Sequence, residues 1–440
     1  MFAHKAGLCN YGAAASRWIW HAVGSRSWCA SHSISACCNS ATQGNFSRSD
    51  ILNHQGGCNS RQIRAIIVAV LMPSLRYPNP KKGAFKRLAG RGLWRRLRTL
   101  LEMRSFSRRH GKSKASVQLD CISAHGQTRL QDSDLPLVFV IRNERHLLPS
   151  FLRHYRNLGV TRFICTDDRS TDGTTDYLLA QDDVDVWTSP VRYKEARRGR
   201  AWRERLFDLY GHDRWYVNVD SDEYLIYEDH GVTPLRNAIQ ALEGCRHTRM
   251  AAPMLDMYPL DLNEAKVEDL AHLDPWDIAS HFDADGYELR VKKRALSIRG
   301  GPRRREFNED LELIKYPLIY WDGDCQLGTS IHQPVPYARN FVPPMGVLLH
   351  FKFFSDVEEK TRQAIQGGQY YNNSCAYRAV MDRLGANGGL RLGTVSSTEF
   401  TGVDQLLELG FFARLPKPEK SVQFVSGPKL WPSRAPLPST

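Results

Sequence analysis

No apolar run in this chain approaches the roughly 18–20 residues that cross a bilayer, and the best candidate, residues 66–72, is far too short. A signal peptide would need a basic start, an apolar stretch and a small-residue cleavage site. Trp18, Trp20 and His21 interrupt any such stretch. Paired cysteines are also missing. Cys9, Cys29, Cys37, Cys38 and Cys58 crowd the first sixty residues, and Cys121, Cys165, Cys245, Cys325 and Cys375 are widely scattered. That spacing offers neither a disulfide framework nor a thiolate metal site. A cytoplasmic location is the simplest expectation. Acid is nearly absent between Lys81 and Lys114, where thirteen Lys and Arg residues meet one carboxylate, Glu102. Thirteen minus one is twelve of the formal net charge of +13, so the rest of the chain is close to neutral. The charge describes a segment and says little about the core.

What is present is ordinary for a globular protein: 440 residues, 42% hydrophobic and 24% charged, enough for one large domain or two ordinary ones. Residues 1–71 are rich in Ser, Cys, Asn, Gly and Ala without a period of 2 or 3.6. They are expected to be disordered, or a spurious extension upstream of a start at Met72 or Met103. Residues 72–134 read as a basic amphipathic or linker segment. Phe85, Leu88, Leu93, Trp94, Leu97, Leu100 and Leu101 fall near helical spacing there. Residues 81–114 would suit an anionic membrane surface, nonspecific contact with nucleic acid, or a solvated tail. Gly90 and Gly92 weaken the helix.

The globular part is expected over 135–410. Leu137–Ile141 is a continuous apolar run, as in a strand covered on both faces. A helical pattern through Leu147, Phe151, Leu152 and Tyr155 follows, stopped by Gly159. Residues 163–165 and 184–187 read as further strands, with a helix from Thr174 to Ala180 between them. This alternation predicts an α/β fold with a mostly parallel sheet between helices. Ligands in such sheets sit at the carboxyl ends of the strands. Those ends carry Arg142, Asn143 and Glu144, then Asp167 and Asp168, then Asp220 and Asp222.

The last pair lies in Asp220-Ser-Asp-Glu223, directly after the strand around Val217 and Val219. Three carboxylates in four positions are costly to bury without a compensating cation. Mg²⁺ or Mn²⁺ between carboxylates and substrate phosphates would supply one; a solvated acidic loop is the plainer reading. The run from Arg192 to Arg205 is rich in Arg and either neutralises phosphate or forms an exposed helix face. His350 sits in the apolar strand Val347–Phe353, where a histidine is ordinarily a satisfied core residue. A helix is expected from Asp356 to Leu384, within a helical C-terminal part. Residues 411–440 are a Pro- and Ser-rich tail.

In combination and order, Arg142-Asn-Glu144, Asp167-Asp-Arg-Ser-Thr-Asp-Gly-Thr174 and Asp220-Ser-Asp-Glu223 resemble the nucleotide-sugar half of family 2 glycosyltransferases. Gly300–Arg305, Lys315–Leu318, Ser330–His332 and Leu348–Phe353 look similar to a bacterial branch of it. The resemblance implies a GT-A-like, Rossmann-type sandwich and Mn²⁺ or Mg²⁺ as cofactor. Arg142, Asn143, Glu144, Asp168 and Asp220 would line the donor site, with Asp172 either there or structural. Asp220, Asp222 and His350 would hold the metal, with His332 the runner-up and Glu223 behind the pair. Inverting transfer needs a carboxylate base; Asp310 of the Glu309-Asp310 pair is the candidate beside catalytic Asp222, with Asp322 and Asp324 in competition. The implied partners are a nucleotide sugar, UDP-linked by expectation, and a glycan or lipid-linked acceptor, with no specific nucleic acid. A peripheral place at the inner membrane would follow from the basic segment. The alternatives are a nucleotidyltransferase on a related sheet, disfavoured because Arg142-Asn-Glu-Arg-His lacks glycine, and a noncatalytic carbohydrate-binding relative.

Overall fold

The computed structural model describes residues 75–79, 92–110, 117–369, 375–387 and 391–416. Expectations for residues 1–71, for 80–91 of the basic segment and for the tail from 417 lie outside the described residues.

In chain order the elements are β1 (Leu75–Tyr77), α1 (Gly92–His110), β2 (Asp120–Cys121), β3 (Pro136–Ile141), α2 (Leu148–Asn157), β4 (Arg162–Asp167), α3 (Thr174–Leu179), β5 (Val184–Thr188), α4 (Arg200–Tyr210), β6 (Arg214–Asn218) and β7 (Glu223–Ile226). Next come α5 (Leu235–Gly244), β8 (Arg249–Met257), α6 (Pro275–Ile278), β9 (His281–Asp283), β10 (Tyr287–Val291), β11 (Leu296–Arg299), α7 (Gly301–Phe307) and β12 (Ile314–Trp321). The chain continues through β13 (Val347–Phe351), α8 (Val357–Gly367), α9 (Cys375–Asn387), β14 (Ser397–Glu399) and α10 (Val403–Leu409).

A nine-stranded sheet in the order β2-β5-β4-β3-β6-β12-β8-β13-β7 forms the centre. Its first half obeys the alternation seen in the sequence. β5, β4, β3 and β6 run parallel, because each connection between successive strands carries a helix long enough to return the chain to the starting edge. The continuous apolar run of β3 is buried between layers, and α2 lays Leu148, Phe151, Leu152 and Tyr155 against it. Gly159, at φ +92°, lets the chain turn after α2.

The expectation of a mostly parallel sheet is corrected here: the sheet is mixed. β12 runs antiparallel to both β6 and β8, β13 is parallel to β8 but antiparallel to β7, and β2 is antiparallel to β5. The later strands are not joined in a regular strand–helix–strand series: α5 precedes β8, α7 precedes β12, and β13 follows a long connection without an α-helix. The single helix expected over Asp356–Leu384 is instead α8 and α9. Gly368, at φ +60°, caps α8 in the left-handed conformation. Folded chain also occurs upstream of Leu135. β1 pairs with β10 in a three-stranded sheet, and β2 adds an edge strand to β5. Among the described residues no helix is long and apolar enough to cross a membrane.

Candidate functional site

The strand β6 ends at Asn218, and the chain turns through Asp220–Asp222 into β7. The turn is closed by Glu223, whose backbone N–H donates to the Asp220 carbonyl at 3.2 Å and whose Oε2 accepts from the Asp220 N–H at 3.0 Å. Two cations from distant elements meet here. Arg203 of α4 donates to the Val138 carbonyl at 2.9 Å, to Asn218 Oδ1 at 2.7 Å and to Asp220 Oδ1 at 2.5 Å. Lys315 of β12 donates to Asp220 Oδ2 at 2.5 Å and to Glu223 Oε1. Burial opposes ionisation of Asp220, yet Lys315 and Arg203 hold its carboxyl down at about 2. Burial lifts Glu223 above the usual range, and Lys315 only partly offsets it. The Lys315 and Glu223 side chains are 5% and 1% exposed while Asp220 is 41% exposed. The turn therefore rests on a buried ion pair and presents one carboxylate at the open edge.

Both oxygens of Asp220 thus already accept from cationic side chains, Arg203 and Lys315. The cation that offsets it is Lys315, supplied by a strand that inserts beside β6. Asp222 differs. Its Oδ2 lies 3.4 Å from His350 Nε2 and 3.6 Å from Lys352 Nζ. Against the effect of burial, His350 and Lys352 hold the Asp222 carboxyl far below the usual range. His350 Nδ1 stands 2.6 Å from Asp256 Oδ1, and Arg303 Nε donates to Asp256 Oδ2 at 2.8 Å. Burial disfavours the imidazolium, but Asp222 and Asp256 raise the His350 pKa. Asp222, Glu223 and His350 offer ligand atoms that all lie within 4.8 Å of one another. A carboxylate and an imidazole, the latter oriented by an outer carboxylate, form the donor set seen around many catalytic metals. The residues fit a divalent ion on Asp222 and His350; Glu223 is committed to Lys315 and the turn.

At the neighbouring strand ends, Asp168 is 5% exposed, with Arg192 Nε at 2.9 Å and Arg142 Nη1 at 3.7 Å. Burial pushes its carboxyl up to about 6 despite the charges of Arg142 and Arg169. Tyr193 ties this corner to the turn: its backbone N–H bonds Asp168, and its phenol feels Asp220, Arg203 and Lys315. Asp167 and Asp172 serve the loop itself. Asp167 accepts from the Ser170 and Thr175 hydroxyls, and Asp172 from the N–H groups of Arg145 and Thr174. Asn143 Oδ1 accepts from the Thr171 N–H at 2.8 Å, so it braces the two loops. Glu144 pairs with Lys360 of α8 at 2.9 Å. Its carboxyl is raised by burial, pulled back by Lys360 and pushed up again by Asp222. Two clefts of about 330 and 370 Å³ open between these loops and α8; both include Asn143, Thr171 and Gln363 in their walls. Asp220 and Asp222 line neither.

The remaining candidates separate. Asp310 is 54% exposed and pairs with Arg299 at 2.5 Å and Arg304 at 3.8 Å, so its charge is used on the outer side of β11 and α7. Its neighbour Glu309 is raised by burial and sits in the fields of Arg303 and Lys352, the cations that flank Asp256 and Asp222. Asp322 pairs with Arg339 at 2.7 Å and accepts from the Asp324 N–H at 3.1 Å. His332 Nδ1 lies 2.8 Å from the Ile314 carbonyl; burial and Lys315 lower its pKa to about 4.

Sequence reading did not single out Lys315, Asp256, Arg303 or Lys352, and of the Glu309-Asp310 pair it chose Asp310. A usable signal existed for the first two, since each is a charged residue inside an otherwise apolar strand and must be paired if buried. A scan against protein-family models finds no match for the chain, and a search of curated proteins finds none.

Proposed function

We propose that the chain is a metal-dependent, inverting glycosyltransferase with a GT-A-like catalytic fold. It would move a sugar from a nucleotide sugar, UDP-linked by preference, to a hydroxyl of a glycan or lipid-linked acceptor. The observation that carries this reading is the convergence of Asp168, Asp222 and His350 at the carboxyl edge of one sheet, with Asp168 beside Arg192, Asp222 beside Lys352, and His350 held between Asp222 and Asp256. Mn²⁺ or Mg²⁺ held by Asp222 and His350 would offset negative charge developing on the departing diphosphate. The imidazole favours Mn²⁺ of the two.

The protein's own groups divide the remaining work. Asp168 accepts hydrogen bonds from the nucleoside, with Arg142 and Arg192 fixing its carboxylate. Arg197, Arg198 and Arg200 stand at the start of α4. Burial and the Arg197 charge push Arg200 down to about 10, against the opposing charge of Glu204, which pairs with Arg197. Arg197 and Arg198 have φ of +54° and +57°, which is unusual for non-glycine residues and costs energy that functional loops tend to retain. This cluster suits a diphosphate. Lys352 adds a point charge beside Asp222. The acceptor oxygen then attacks the anomeric carbon as its proton passes to Glu309. The electrons of the broken C–O bond leave with the nucleoside diphosphate.

Mn²⁺ together with UDP should raise the melting temperature of the full chain, because a ligand that binds only the native state stabilises it. Asp222→Ala should abolish that shift and leave the unliganded melting temperature close to wild type. No shift with UDP or GDP, or an undiminished shift in the variant, would sink the reading.

A further inference from the structure

The helix α1 has two faces, and among the described residues the body of the protein occupies only one. Phe106 is buried edge-on against Tyr337, ring centroids 6.0 Å apart, with Met103 beside it. Thr99 Oγ1 donates to the Lys293 carbonyl at 3.1 Å. Glu102 pairs with Lys293 at 3.0 Å and Arg294 at 3.3 Å. At about 100° per residue, these four positions span an arc of about 100°. Leu97, Leu100, Leu101, Arg104 and Arg108 span a similar arc on the opposite side. The leucines there are 42%, 57% and 61% exposed, and Arg96, Arg104 and Arg108 are exposed around them. Among the described residues these leucines belong to no hydrophobic cluster. The outer arc also carries no acid: Glu102, the one acid of the helix, faces inward.

We propose that the outer face of α1 docks the protein on an anionic lipid bilayer. The leucines enter the boundary between headgroups and acyl chains, and Arg96, Arg104 and Arg108 meet lipid phosphates. A second copy of the chain is the poorer occupant, because a two-fold contact would set arginine against arginine with no carboxylate between them. A nucleic acid would engage the arginines and leave the leucines in water. The proposal stands independently of the catalytic reading.

The test is flotation of the full chain with vesicles of phosphatidylcholine alone or mixed with phosphatidylglycerol. Wild type should float with the mixed vesicles, weaken as salt rises and ignore the neutral ones. Leu97→Ser, Leu100→Ser and Leu101→Ser combined should weaken binding by about tenfold or more. Arg96→Gln, Arg104→Gln and Arg108→Gln should each lose about fivefold. All six positions are exposed, so the melting temperature should hold in all four variants. Failure of wild type to float, or full binding by the leucine variant, would overturn the proposal. So would a wild-type dimer that the leucine substitutions convert to monomer. Binding of a single-stranded RNA in preference to vesicles, undiminished in the leucine variant, would overturn it as well.

Discussion

The two halves of the large sheet hold opposite shares of the site. From β5 to β6 the strands are parallel, joined by helices and contiguous in sequence; they deliver Asp168 and Asp220, and the turn that leaves β6 delivers Asp222. From β12 to β7 the strands are mixed and drawn from distant parts of the chain. They deliver partners for the Asp220–Glu223 turn: Lys315 under it, the His350–Asp256 pair beside Asp222, and Lys352 beyond it. The acids by themselves repel and lose hydration. Both halves offset them: Arg142, Arg192 and Arg203 come from the first, Lys315 and Lys352 from the second.

That division can be broken from either side. The largest effect is expected from the second half, at the proposed base. Glu309→Gln should lower the rate of sugar transfer by about 10²–10⁴, the usual worth of a positioned base, with donor binding kept. A variant that transfers at the wild-type rate would return the role to another carboxylate. Lys315→Met should destabilise the fold by about 3–5 kcal/mol in denaturant unfolding, because Glu223 is left buried without its partner. Adding Glu223→Gln should recover part of the loss. If Lys315→Met alone is neutral, the ion pair is not what supports the turn.

Asp256→Asn loosens the imidazole without touching Asp222 and should cost about 10–100-fold in Mn²⁺ affinity, read by titration. It also tests a pH dependence. Against the effect of burial, Arg303 and His350 hold the folded pKa of Asp256 at about 2, below the ordinary 3.8. The native state therefore binds this proton more weakly than the unfolded chain. The paired charge adds stability at pH above about 3.8, and that contribution disappears as pH falls toward 2. The stability gap between wild type and Asp256→Asn should be open at pH 6 and narrow near pH 2. The smallest effect belongs to Asp310→Ala. Its exposed pairs with Arg299 and Arg304 contribute about 0–1 kcal/mol, and the transfer rate should change less than about twofold, well below any base's share. A large loss there would reverse the assignment of Glu309 over Asp310.

Much of this was legible in local pattern. The apolar run of β3, the stripe of α2 and the acids closing β4 and β6 follow from residues a few positions apart. The roles of Asn143 and Asp172 as loop braces were less visible, because Arg142-Asn-Glu144 and Thr166–Thr174 read alike whether their polar groups face a ligand or each other. Glu309 and Asp310 show the sharper limit. Adjacent carboxylates in one loop are equivalent in sequence, and the paths of β11 and α7 decide which one sees Lys352 and which sees solvent.

By itself, the sequence determined the strand–helix alternation of the first half, the three acidic loops and the basic, leucine-bearing segment, since each is written in near neighbours. Only the tertiary structure decided that Asp220 is neutralised by Lys315 and Arg203 while Asp222 is left to His350. A charge buried at a sheet edge is settled by whichever side chain the adjoining strands bring to it, and β12 and β13 reach that edge from roughly a hundred residues away.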